Sequence, residues 1–254
     1  MDVTSYLLGK NASGGSTTLQ DKEVTITTNT TTTIEADTGY DGLNTVEVTT
    51  NVGGGIDDYF LEQPPAYSGT IQKILKKIPP IDLSNNTSFN FQNASNLEEI
   101  EGITGTSQIT NMTSMFYECQ KLKAVPLFDT SNATNMSNMF YDVVDITTVP
   151  QFDTSNVTNM NSMFYCGYTE TTGLVNLPLL NTSKVTNFGS MLYGRKHLSD
   201  QSLDNVLQMC INATSFTGTK SLTSLGMYGG YPTSKIISLP HYQDFTDAGW
   251  IIGF

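Results

Sequence analysis

The stretch Phe128-Asp129-Thr130-Ser131-Asn132-Ala133-Thr134-Asn135-Met136-Ser137-Asn138-Met139-Phe140-Tyr141 decides how the chain is read, because it returns almost unchanged. The next copy is Phe152-Asp153-Thr154-Ser155-Asn156-Val157-Thr158-Asn159-Met160-Asn161-Ser162-Met163-Phe164-Tyr165. A looser copy runs from Leu180-Asn181-Thr182-Ser183 to Met191-Leu192-Tyr193, and an earlier one ends at Met115-Phe116-Tyr117. Positions Phe116, Phe140, Phe164 and Leu192 are 24, 24 and 28 residues apart. A second column, Val125-Pro126, Val149-Pro150 and Leu177-Pro178, keeps a constant distance to the following aromatic or leucine. The four extra residues of the last unit therefore fall in Tyr168–Gly173, as an inserted surface loop.

Each unit carries two apolar signals. Leu122-x-x-Val125-x-Leu127 has the spacing of a leucine-rich-repeat strand, and Met136, Met139 and Phe140 fall at i, i+3, i+4, one face of a short helix. A unit of about 24 residues cannot bury that edge alone; neighbours must stack on it. The expected fold is a β-rich α/β solenoid, a leucine-rich-repeat-like array of strand-plus-short-helix units with a small N-terminal β module. Its core columns are Phe116, Phe140, Phe164 and Leu192, with Met112, Met136 and Met160 beside them. The Leu-x-x-Leu signature extends to Leu75-Ile78, Leu97-Ile100 and Leu222-Leu225. Asp200–Ile211 reads as a helix with Leu203, Val206, Leu207 and Cys210 on one face. Ile236-Leu239-Pro240 reads as a last shortened strand, and Phe245 and Trp250 as the closing cap.

Five segments follow. Residues 1–18 are an apolar tip (Tyr6, Leu7, Leu8) with a Gly/Ser linker. Residues 19–55 alternate like a three-stranded β module that is barely stable alone. Residues 56–70 are a linker containing Pro64-Pro65. Residues 71–198 are the repeats, and 199–254 are repeat remnants and a cap.

Composition excludes several functions. The 254-residue chain has net charge −12 and only 14% charged residues; Thr, Ser and Asn supply 80 positions. Nucleic acid is a poor partner, since phosphate binding needs clustered Lys and Arg. No run of 18 apolar residues exists, so membrane insertion is not expected. The first ten residues do not read as a secretory signal. Cys119, Cys166 and Cys210 have no metal-ligand spacing and suit buried positions. His197 and His241 lie in different segments, with no nucleophile motif around them. Asp129 and Asp153 are equivalent positions one unit apart; turn formation explains them better than a metal site. The column Asn111, Asn135, Asn159, Asn187 is expected to satisfy buried turn amides. No enzyme, cofactor or metal site is expected. A binding surface is expected among residues pointing away from the core, with Lys123, Thr147, Asn176, Tyr168, Tyr228 and Tyr231 as candidates.

The Phe-Asp-Thr-Ser-Asn-Val-Thr-Asn-Met-x-x-Met-Phe-Tyr units resemble the BspA-type leucine-rich repeats of bacterial surface proteins, over roughly residues 75 to 198. The ending (Leu198-Ser-Asp-Gln-Ser-Leu and Leu239-Pro-His-Tyr-Gln-Asp-Phe) and the front (Tyr6-Leu-Leu-Gly-Lys and Gly39-Tyr-Asp-Gly-Leu-Asn-Thr-Val) are similar to repeat proteins of phages and prophages of Gram-positive gut bacteria. The resemblance implies a non-enzymatic virion structural protein, a head or tail fibre or spike. It would be held to other virion proteins by its N-terminus, be homo-oligomeric, and attach to a host surface protein or glycan. Its implied location is the virion. A BspA-type adhesin on the bacterial cell surface is the alternative.

Overall fold

The computed structural model describes residues 25–26, 32–35, 46–48, 77–78, 81–84, 90–95, 97–168, 173–227 and 231–253. The tip Tyr6, Leu7, Leu8 and both linkers lie outside the described residues, as does Tyr228. Three short strands, β1 (Thr25–Ile26), β2 (Thr32–Glu35) and β3 (Val46–Val48), pair antiparallel in that order, with Thr25 opposite Glu35 and Ile34 opposite Val46. Further on, β4 (Lys77–Ile78) pairs parallel with β6 (Glu99–Ile100), and β5 (Ile81–Asp82) with β7 (Ile103–Thr104).

From Phe91 onward the backbone returns over itself once per sequence repeat. Parallel bridges join Asn111 to Asn135, Asn135 to Asn159, and Asn159 to Asn187. Alternate amides bond to the following coil: Met112 N–H donates to the Asn135 carbonyl (2.8 Å), Ser114 to Ser137 (3.0 Å), Phe116 to Met139 (2.9 Å) and Glu118 to Tyr141 (2.8 Å). The set repeats one coil later from Met136, Asn138, Phe140 and Asp142, and again from Met160, Ser162, Phe164 and Cys166. Identical side chains are thereby laid over one another. Phe91, Phe116, Phe140 and Phe164 form a buried stack with ring centroids 5.4, 5.2 and 5.5 Å apart. Leu192 continues the column, and Met112, Met136 and Met160 are fully buried beside it. Phe128 and Phe152 form a second buried pair, 5.1 Å apart.

The Met-x-x-Met-Phe-Tyr segment is not a helix. Its even-numbered amides are spent on the next coil, and the intervening ones close four-residue turns: Met139 to Met136, Tyr141 to Asn138, Val143 to Phe140. This alternation requires left-handed backbone at Ser114, Glu118, Asn138, Asp142, Ser162 and Ser190, with φ of 52° to 58°. Each such residue costs about 1 kcal/mol against its right-handed form, offset by the bonds between coils. The column position of Glu118 and Asp142 is Gly194 in the last copy, where φ is +78° and a Cβ would lie 1.8 Å from the Cys166 carbonyl oxygen. Glycine is thus required where backbone crosses backbone.

The segment Leu122–Leu127 also departs from the expected strand. It has no continuous ladder, only single contacts such as Lys123 N–H to the Glu98 carbonyl at 3.1 Å and the Thr148–Asn176 bridge. Pro126, without an amide hydrogen, breaks the run. Leu122 and Val125 are buried, but Leu127 is 66% exposed.

A buried threonine column reinforces the stack. Thr106, Thr130, Thr154 and Thr182 each donate Oγ1 to a carbonyl of the following coil: Asp129 (2.6 Å), Asp153 (2.9 Å), Asn181 (2.9 Å) and Met209 (2.5 Å). Below the last coil, helix α1 (Asp200–Asn212) starts on Ser199, whose Oγ accepts the Ser202 amide. Its face of Leu203, Val206, Leu207 and Cys210 is buried. Two further segments are helical where strands were expected. Leu222–Leu225 is a 3₁₀ turn, and Thr233–Ile237 is the short helix α2. Apolar residues three apart suit both backbones, and Pro232 favours a helix start. Helix α3 (Tyr242–Asp247) brings Phe245 against Trp250, which stacks on Phe216 at 5.4 Å.

Candidate functional site

Because the coils are in register, every outward position becomes a column, and the exposed columns are the candidate surface. Lys123 and Thr147 occupy equivalent positions on successive coils, and Thr147 accepts the Asn176 amide through its carbonyl at 2.9 Å. The structure therefore brings Lys123, Thr147 and Asn176 onto one exposed strip. Lys123 forms an ion pair with Glu98, and this partner holds its amine in the charged form. Tyr168 is 49% exposed, and its hydroxyl accepts a hydrogen bond from Gln120 Nε2 at 3.2 Å, two coils away.

Tyr231 does not belong to this surface. It is 6% exposed, and its hydroxyl accepts the Leu198 amide at 2.8 Å. A tyrosine beside two glycines reads as a loop tip, but its ring fills the space under the last coil.

Sequence reasoning passed over a column of tyrosines. Tyr117, Tyr141, Tyr165 and Tyr193 stack with centroids 4.7, 4.4 and 4.6 Å apart and ring planes within 12°. Their recurrence after every Met-Phe or Met-Leu was the available signal. Burial and the neighbouring Asp142 push the Tyr141 hydroxyl well above its ordinary pKa. Burial and then Glu118 raise that of Tyr117. These phenols therefore stay protonated. Their faces are spent on one another, leaving edges and hydroxyls outward, which is a poor platform for a sugar ring.

The amide and carboxylate columns close turns. Oδ1 of Asn111, Asn135, Asn159 and Asn187 accepts the amide two residues on, at 3.0 to 3.1 Å. These asparagines are exposed or half-buried, so they stabilise surface turns, not buried ones. Asp129 and Asp153 accept the Ser131 and Ser155 amides at 2.9 Å, and Asn181 accepts that of Ser183 at 3.1 Å. Hydrogen bonds from Ser131 lower the Asp129 pKa, and those from Ser155 lower that of Asp153, which the Asp129 charge partly opposes.

Three charged groups are buried among the described residues: Asp142, Arg195 and Asp204. Asp204, on α1, accepts the His241 amide (3.0 Å), His241 Nδ1 (2.7 Å) and Gln208 Nε2 (3.2 Å), tying the terminal helices to α1. Among the described residues the hydrogen-bond partner of this imidazole is Asp204. Arg195 is 2% exposed and reaches two coils, donating Nε to the Phe164 carbonyl (2.7 Å) and a terminal nitrogen to Val143 (2.8 Å). It shares a column with Cys119, Val143 and Gly167. Asp142 accepts the Gly167 amide at 2.6 Å, and burial raises its carboxyl pKa, while Arg195 nearby partly holds it down. Cys119, Cys166 and Cys210 are buried and form no disulfide, and burial pushes the Cys210 thiol far up. Among the described residues no three His, Cys, Asp or Glu side chains converge as a metal site, and no helix is long and apolar enough to cross a membrane.

Residues 85–206 match the family DUF285, a Mycoplasma protein of unknown function. The matched stretch holds the stacked coils and the first half of α1. No curated protein and no solved structure matches the chain.

Proposed function

We propose that the chain is a leucine-rich-repeat-like solenoid serving as a non-enzymatic phage virion structural protein, a head or tail fibre or spike. In this reading the N-terminal tip Tyr6, Leu7, Leu8 holds the particle, and the repeats project to meet a host surface protein or glycan. One observation supports attachment above all. The same outward residues recur on successive coils of a hydrogen-bonded stack, while the buried polar groups are consumed in holding it together. Weak contacts repeated over copies of such a particle would add through effective concentration. The resemblance of both ends to phage repeat proteins supports the virion assignment. The DUF285 match favours a second reading, a bacterial cell-surface adhesin, because that family is described from a bacterium.

Removing residues 1–18 separates the two. The shortened chain is expected to fold and to be absent from purified particles, read by circular dichroism and by immunoblotting of density-banded virions. Undiminished incorporation would remove the anchor assignment.

A further inference from the structure

A shallow groove of about 590 Å³ crosses three successive coils, lined by Ile103, Leu127, Phe128, Asp129, Gln151 and Asp153 among others. Its chemistry is two-sided. Ile103 and Phe128 form a nearly buried apolar floor, beside which Leu127 stands two-thirds exposed among polar side chains. On its rim Asp129 and Asp153 lie on successive coils. Each is fixed by the serine two residues on, and neither is paired with a cationic side chain among the described residues.

We propose that this groove docks an extended peptide segment of a partner protein that carries Arg or Lys next to an aliphatic residue. Charge complementarity carries the choice. Two like charges on neighbouring coils repel, and the Asp129 charge acts on Asp153, so a cation placed between them relieves that repulsion. No lining residue is Lys or Arg, which excludes nucleic acid and anionic wall polymers. The aromatic ring here, Phe128, is buried, so no face is offered to a neutral sugar. Leu127 supplies an apolar contact that a free metal ion would not use.

The inference rests on the attachment reading and names its partner class, so the test separates the two. Asp129→Asn/Asp153→Asn removes both charges yet keeps the turns, since Asn181 accepts the same bond with an amide oxygen. Leu127→Ser alters a side chain that is largely in solvent. Fluorescence anisotropy of the full chain is measured with labelled octapeptides of alternating Arg-Leu, Arg-Ser and Glu-Leu, and with a neutral oligosaccharide.

The Arg-Leu peptide is expected to bind best, with weakening as salt rises. The double Asn variant is expected to lose about 3- to 10-fold and Leu127→Ser a similar factor. Asp244→Asn/Asp247→Asn, with the same change in charge elsewhere, is expected to bind as the parent does. Binding that is unchanged in the double variant, equal for the Arg-Ser or Glu-Leu peptide or the oligosaccharide, or absent up to about 1 mM overturns the proposal. The labelled full chain and the double variant are also applied to Gram-positive cells. Equal adhesion of both overturns the groove and leaves attachment standing. Failure of the parent chain to adhere overturns the attachment reading, whatever the peptides show.

Discussion

Phe140→Ala is expected to destabilise the array by about 3 to 5 kcal/mol, read from the midpoint of guanidinium unfolding. The ring is fully buried and lies between Phe116 and Phe164, with Phe152 at 6.2 Å. Truncation loses the transfer energy of the ring and leaves a cavity that neighbouring backbone cannot fill, because that backbone is tied coil to coil. It also interrupts the aromatic stack in the middle, where each unit depends on both neighbours. Phe140→Leu is expected to cost about 1 to 2 kcal/mol, since Leu192 already occupies the equivalent place without breaking the column. A loss below about 1 kcal/mol for Phe140→Ala would mean that the stack is not the source of stability.

Arg195→Met is expected to cost about 3 to 5 kcal/mol at neutral pH. The methionine keeps most of the apolar stem but strands the Phe164 and Val143 carbonyls, which accept from the guanidinium. Unsatisfied buried acceptors cost about 1 to 3 kcal/mol each. Asp142 adds a pH signature. Its folded pKa is already raised by burial, and Arg195 is the nearby charge holding it down. Without Arg195 the folded value rises further above the unfolded one. The folded variant then binds more protons than its unfolded chain across that window, so its stability falls as pH rises through it. The deficit against the parent should therefore be larger at neutral pH than below the ordinary carboxylate range. Chemical denaturation at both pH values reads this; an equal deficit at both would show that Asp142 and Arg195 are not coupled.

The period of the chain was legible because Met-Phe-Tyr and Asp-Thr-Ser-Asn recur at fixed intervals, and side chains at such intervals must share an environment if the chain stacks. Helix α1 was legible from Leu203, Val206, Leu207 and Cys210. The backbone of the Met-Phe-Tyr segment was not. Met136, Met139, Phe140 and Val143 point inward in a helix and equally in a run of turns. Apolar spacing reports burial, and the distinction lies in left-handed φ at Asn138 and Asp142, residue types that tolerate it. Thr130 and Thr154 stood in the motif, yet a threonine among Asp, Ser and Asn reads as turn polarity; only its burial reveals the bond to the next coil. Arg195 had no periodic counterpart to flag it, since its column holds Cys119, Val143 and Gly167. The Leu-x-x-Val-x-Leu spacing groups Leu127 with a strand, but the segment forms no continuous ladder and Leu127 faces solvent.

Stacking of successive coils in register is tested most directly by disulfide trapping. Thr134 and Thr158 are exposed and lie on neighbouring coils, with the Thr158 amide bonded to the Thr134 carbonyl at 2.9 Å. Thr110 lies one coil before Thr134, whose amide bonds its carbonyl at 2.8 Å. Cysteines at 134 and 158 fall within the 4.4–6.8 Å Cα separation that a disulfide spans, whereas two coils exceed it, at roughly 9 to 10 Å. Under mild oxidation of the folded chain, Thr134→Cys/Thr158→Cys is expected to cross-link nearly completely and Thr110→Cys/Thr158→Cys hardly at all, read by mass spectrometry of the digest. Equal yields from the two pairs, or a higher yield from the pair two repeats apart, would contradict the stacking.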